Sequence, residues 1–177
     1  MKTMTHRLIH FTAAACAALT LVSTAHAVDL RSWDQKLAAS KRFVVLASFN
    51  NEAVLDKETQ LVWERAPATT TQTWTSGLHA CLQSTKGGRK GWRLPSVTEL
   101  ASLIDPSVAS PGPTLPAGHP FTANAPSGAI YWSATSNAAT PTLAWLVSFG
   151  SGNVFTLNKV DTDRVWCVRG GMNADQY

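Results

Sequence analysis

Apolar and polar positions along the chain alternate in short runs broken by Gly, Pro, Asn and Ser, and the period of each run predicts its element. "LRSWDQKLAASKRF", residues 30–43, is helix-permissive and leads into "FVVLASF", residues 43–49, an apolar run of strand length. "AVLDKETQLVWER" predicts a hairpin, with Ala53 to Leu55 and Leu61 to Glu64 as arms and "DKETQ" as the turn. Gln60 stands where a glycine is easiest if that turn needs a positive φ. After a threonine-rich approach, Trp74, Leu78, Cys81 and Leu82 fall at i, i+4, i+7 and i+8, the stripe of an amphipathic helix stopped by Gly87-Gly88. That stripe turns Cys81 toward the core.

A second helix is specified at both ends. Ser96 is an N-cap and Glu99 completes an S-x-x-E capping box, while Pro95 prevents an earlier start. Leu100, Leu103 and Ile104 form its buried stripe, and Asp105-Pro106 ends it. Residues 106–129 carry six prolines and three glycines and predict an irregular surface excursion. "IYWSAT", "LAWLVSF" and "NVFTLNK" then read as strands, with "GSG" turning the last two into a hairpin and "RVWCVRGG" closing the sheet.

Composition changes this picture only once the first 27 residues are set aside. Lys2 and Arg7 precede the apolar "LIHFTAAACAALTLV" and the A-x-A site Ala25-His26-Ala27, the pattern of a secretory signal peptide. A lipoprotein reading through Cys16 meets a very short apolar run interrupted by His10. Setting 27 of 177 residues aside leaves 150, enough for one domain with its own core, preceded by an extension at 28–49 and followed by a tail at 172–177. Two of the 15 basic residues and none of the 11 acidic ones lie in the leader, so the formal net charge falls from +4 to +2. Such a balance does not imply a nucleic-acid partner. The expected location is periplasmic or extracellular, with no transmembrane anchor after cleavage.

Export leaves two of the three cysteines, Cys81 and Cys167, in an oxidising compartment. One disulfide is the natural reading. A redox pair is the alternative, although active dithiols usually sit close together, as in C-x-x-C.

Six ordered segments, "AVLDKETQLVWER", "TWTSGLHAC", "GGRKGWRLPSVTELASLID", "YWSAT", "AWLVSFGSGNV" and "RVWCVRGG", closely resemble the Lcl C-terminal domain family of bacterial secreted proteins over residues 50–171. The resemblance implies an α+β, C-type-lectin-like fold related to formylglycine-generating enzymes, with two helices flanking a twisted antiparallel sheet and a long irregular loop. It also implies that Cys81 on the first helix pairs with Cys167 on the last strand, and that "WRLP" is the extended lead into the second helix. Gln60 departs from the family, which usually has glycine after "ET". Adhesion and binding of glycans or glycosaminoglycans are suggested for some members.

Candidate chemistry is sparse. His79 and His119 are the histidines beyond the leader; His79 falls on the exposed side of the first helix, and His119 sits in the long loop. Neither has a neighbouring nucleophile or paired acid, so no catalytic residue, cofactor or metal site is assigned. Asp161 and Asp163 invite a calcium reading, but a hard cation wants six to eight oxygens and a solvated turn is the simpler account. The sugar-binding motifs of calcium-dependent lectins are absent. Lys86, Arg89, Lys90 and Arg93 put four cations in eight residues beside Trp92, a set that could grip sulfated or phosphorylated polymers. Set against that is a solvated turn in which Arg93 forms an internal ion pair. Of the seven tryptophans, Trp63, Trp74, Trp92, Trp132, Trp145 and Trp166 are expected in the core and Trp33 outside it.

The leading expectation is an exported, non-enzymatic binding module for a glycan, a glycosaminoglycan-like polyanion or an envelope protein. Its ligand would touch the long loop at His119, Phe121 and Asn124, joined by Asn137, or, for a polyanion, Lys86, Arg89 and Lys90. The alternatives are a structural domain of an envelope assembly and an enzyme related to formylglycine-generating enzymes, which would need two reactive cysteines.

Overall fold

The computed structural model describes residues 37–122 and 129–170. The chain divides into Met1–Leu30 and Arg31–Tyr177, and the first unit, with the leader, lies outside the described residues, as do Trp33 and Asn124. Among the described residues no helix is long and apolar enough to cross a membrane.

Among the described residues the architecture is mixed, mostly sheet with three short α-helices, hence α+β. Helix α1 (Ala39–Arg42) leads into β1 (Phe43–Val45). Strand β1 pairs antiparallel with β2 (Ala53–Asp56), Val45 facing Val54. The apolar run 43–49 is therefore not one strand: it breaks after Val45 into a 3-10 turn at Ala47–Phe49. Asn50 and Asn51 follow at φ 52° and 60°, where asparagine is among the few tolerated residues, and return the chain into β2. The sheet thus begins before residue 50. Strand β3 (Leu61–Glu64) completes the expected hairpin, with Gln60 at φ 60° as its turn demands.

Strand β4 (Gln72–Thr73) precedes α2 (Trp74–Gln83), whose N-cap Thr73 accepts from Ser76 N–H. Leu82 is a correction: it is 61% exposed, and the buried positions of α2 are Gly77 and Cys81. A Cβ on Gly77 would lie 2.5 Å from Val165 Cγ1, so the missing side chain lets the helix approach the segment carrying Cys167. Helix α3 (Val97–Ala101) has the complete Ser96–Glu99 capping box and buries Leu100, with Leu103 following in the next turn.

Strands β5 (Ile130–Ser136), β6 (Leu143–Ser148) and β7 (Val154–Asn158) form an antiparallel meander. Strand β8 (Thr162–Asp163) pairs with β4, and β9 (Val168–Arg169) pairs with β3. Among the described residues the strands consequently fall in three small sheets rather than one; β9 joins the first hairpin, while Arg164 at the start of the closing segment bridges Tyr131 of β5. "WRLP" ties the first of these sheets to the meander: Arg93 exchanges both backbone hydrogen bonds with Val168, while Pro95 C=O accepts from Ala134 N–H at 2.7 Å.

Trp166 is the hub of the larger core cluster, with ring centroids of Phe121, Tyr131, Phe149 and Trp63 at 4.9, 5.4, 5.4 and 5.7 Å. Trp63, Trp92, Trp132 and Trp166 are fully buried, whereas Trp74 and Trp145, also expected there, are half-buried. The excursion after α3 is not superficial throughout. Thr114 N–H donates to Phe149 C=O at 2.7 Å, and Leu115 and Phe121 enter the core. Arg42, itself buried, makes a two-pronged hydrogen bond to the buried Asp56 at 2.9 and 2.7 Å and reaches Ser102 C=O at 2.8 Å.

Candidate functional site

The segment from Ser84 to Arg93 follows α2, yet it is held as tightly as a regular element. Gly87 takes φ 64°, and a Cβ there would lie 2.6 Å from Phe49 Cβ and 2.9 Å from its Cα, so glycine alone fits. Its N–H donates to Glu52 Oε2 at 2.8 Å. Trp92, buried beneath, donates its indole N–H to Lys86 C=O at 3.2 Å, and Arg169 Nε donates to Lys90 C=O at 2.8 Å. The backbone is therefore pinned at Lys86, Gly87 and Lys90, while the side chains of Lys86, Arg89 and Lys90 remain exposed.

Phe49 organises the cations. The guanidinium carbons of Arg89 and Arg169 lie 5.6 and 5.9 Å from its ring centroid, inside cation–π range. Two positive groups from segments far apart in sequence thus converge on one ring next to Lys90. Arg93 plays the other expected part: its guanidinium pairs with Glu99 at 2.7 and 2.8 Å and donates to Gly170 C=O at 2.7 Å, which withdraws it from the exposed set. Burial alone would raise the Glu99 carboxyl, but the Arg93 and Ser96 contacts outweigh it and hold the group below its ordinary range.

Beside this loop opens a cleft of about 540 Å³ whose lining includes Glu52, Glu64, Ala80, Ser84, Lys86 and Cys167. Glu64, 5% exposed, accepts from Ser84 Oγ at 3.0 Å and from Cys167 N–H at 3.3 Å. Its carboxyl is pushed above the ordinary range chiefly by burial and further by the charge of Glu52, against the opposing effects of Ser84, Cys167 and Lys86. Cys81 and Cys167 are joined in a disulfide.

Of the residues expected from the long loop and the connection after it, the described ones do not form an open site. Phe121 is 5% exposed and packs on Phe43 and Trp166, so it is a core residue and not a ligand contact. Asn137 spends its Oδ1 on the N–H groups of Ala139 and Thr140 at 2.9 and 3.1 Å, fixing its own turn. Asn124 lies outside the described residues. His119 is half-buried against Phe121, with burial lowering its pKa. His79 is exposed on α2 as expected. Asp163 belongs to β8 and accepts from Arg164 N–H; among the described residues no three acidic, His or Cys side chains cluster for a metal.

Sequence reasoning missed Phe49, Arg169 and the acidic cleft. Phe49 and Arg169 meet only through the β3–β9 pairing, which no local pattern announces. Glu64 carried one faint signal, a carboxylate ending an otherwise apolar strand arm.

No curated protein matches the chain. The Lcl C-terminal domain profile matches residues 52–169, two thirds of the sequence, spanning every strand from β2 to β9 and both the cationic loop and the cleft. By that match, the chain belongs to the Lcl C-terminal domain family.

Proposed function

We propose that the protein is an exported, non-enzymatic binding module of C-type-lectin-like fold whose loop from Lys86 to Lys90 recognises a sulfated or phosphorylated polymer. The observation that carries this reading is the loop's rigidity: its cations stand on a backbone fixed by Glu52, Trp92 and Arg169, so little ordering entropy opposes binding. Arg89 and Arg169 on the Phe49 ring add a fixed, weakly hydrated charge surface suited to sulfate or phosphate oxygens. The bonded cysteine pair supports export and weighs against an oxidase chemistry that would need both thiols.

A heparin-type oligosaccharide titrated over a salt series tests the reading. Affinity is expected to fall steeply as salt rises. Changing Lys86, Arg89 and Lys90 together to glutamine should weaken binding by roughly 0.6–3 kcal/mol, about 0.2–1 per exposed pair, and flatten the salt dependence. Equal affinity of the folded triple variant and the parent would defeat the assignment.

A further inference from the structure

The cleft beside the cationic loop carries charge of the opposite kind and shares only Lys86 with the polyanion site. Its two carboxylates, Glu52 and Glu64, face a single cation, Lys86. The Glu64 carboxyl is buried and close enough to Glu52 to feel its charge. Burial dominates: the donors Ser84 Oγ and Cys167 N–H and the charge of Lys86 each outweigh Glu52 but together offset the loss of solvation only in part. A cation entering the cleft would stabilise the buried Glu64 carboxylate in place of lost water, whereas an anion would oppose it. Small side chains, Ala66, Ala68 and Ala80, leave the space open, and its volume of about 540 Å³ lies in the range of small-ligand sites. No aromatic ring is among its lining residues, so a sugar ring has no platform to stack on. What the lining does offer is a methyl-bearing surface of alanines with carboxylates beside it.

We propose that this cleft is a second binding site, taking a primary alkylammonium group whose methylene chain lies along Ala66, Ala68 and Ala80 and whose cationic head is held by Glu52 and Glu64. A free diamine and a lysine side chain present the same chemistry. The site does not depend on polyanion recognition, and Lys86 separates the two: it attracts a polyanion at the loop and repels an ammonium in the cleft.

Calorimetric titration of the protein with 1,5-diaminopentane and with Nα-acetyl-lysine amide tests this, with 1,5-pentanediol as the uncharged isostere. At least one amine should bind while the diol does not, and the amine that binds more tightly identifies a free diamine or a side chain as the source. Glu52→Gln, which keeps a carbonyl acceptor for Gly87 N–H, should weaken amine binding roughly three- to tenfold. Ala80→Leu should weaken it by narrowing the cleft where the methylene chain lies. Lys86→Gln should strengthen it about two- to fivefold while weakening the heparin-type ligand, so failure of one assignment is distinguishable from failure of the other. The proposal is overturned if neither amine binds, if the diol binds equally well, or if Glu52→Gln and Ala80→Leu, both folded, bind the amines as the parent does.

Discussion

Gln60 is the clearest case of a residue whose cost is visible at its own position. It holds φ 60° to close the β2–β3 turn, a conformation that crowds any side chain with a Cβ, and its amide donates to Lys57 C=O at 2.8 Å from an exposed position. Gln60→Gly should therefore raise stability by about 1 kcal/mol, the relief of the left-handed strain exceeding the exposed hydrogen bond and the entropy of a more flexible unfolded chain. Urea denaturation of the two proteins reads this directly, and a loss of stability would show that the amide contact outweighs the strain. The strain was legible in the sequence because a turn that needs positive φ names its preferred residue. Gly77 was not legible. An apolar-period search gives glycine no weight, so it placed the stripe of α2 on Leu82, although close approach to Val165 centres the buried face on Gly77 and Cys81.

At the scale of elements, the starts that specify themselves locally were read correctly, although α3 ends at Ala101 and not at the expected Asp105-Pro106. Helix α3 is announced by Ser96 and Glu99, and the structure contains both halves of the box: Glu99 N–H to Ser96 Oγ at 3.2 Å and Ser96 N–H to Glu99 Oε2 at 2.8 Å. Ser96→Ala should cost about 1 kcal/mol, seen as a lower denaturation midpoint. Glu99 makes the same element acid-sensitive. Its folded pKa lies below the ordinary 4.5, so the unfolded chain binds more protons, and its stabilising contribution is full above about pH 4.5 and is lost as pH falls through the folded value. Glu99→Gln should flatten that acid limb in a pH series of melting curves; an unchanged limb would exclude Glu99 as its source. The excursion after α3 misled for the opposite reason. Its prolines and glycines correctly forbid regular structure, but nothing in their pattern reports that Thr114, Leu115 and Phe121 dock against the end of β6 and the Trp166 cluster. The cleft shares that invisibility, since α2, β3 and the segment around Cys167 meet there only after folding.

Across the whole molecule, long-range links replace an extensive single sheet. The Cys81–Cys167 bond closes 86 residues of sequence, and replacing both cysteines with alanine should remove on the order of 4 kcal/mol, the loop-closure entropy regained by the unfolded chain. Chemical denaturation of the double variant measures it. A loss below about 1 kcal/mol would mean that residual structure already confines the unfolded chain. Arg42 has a different kind of reach. Asp56 is fully buried and lies within the family match, while its guanidinium partner precedes the match by ten residues. Stranding a buried carboxylate costs several kcal/mol, more than a small domain can spare. The stretch that relatives share is therefore shorter than the stretch that can balance its own interior charge, and the smallest autonomous version of this protein begins upstream of its recognisable domain, no later than α1.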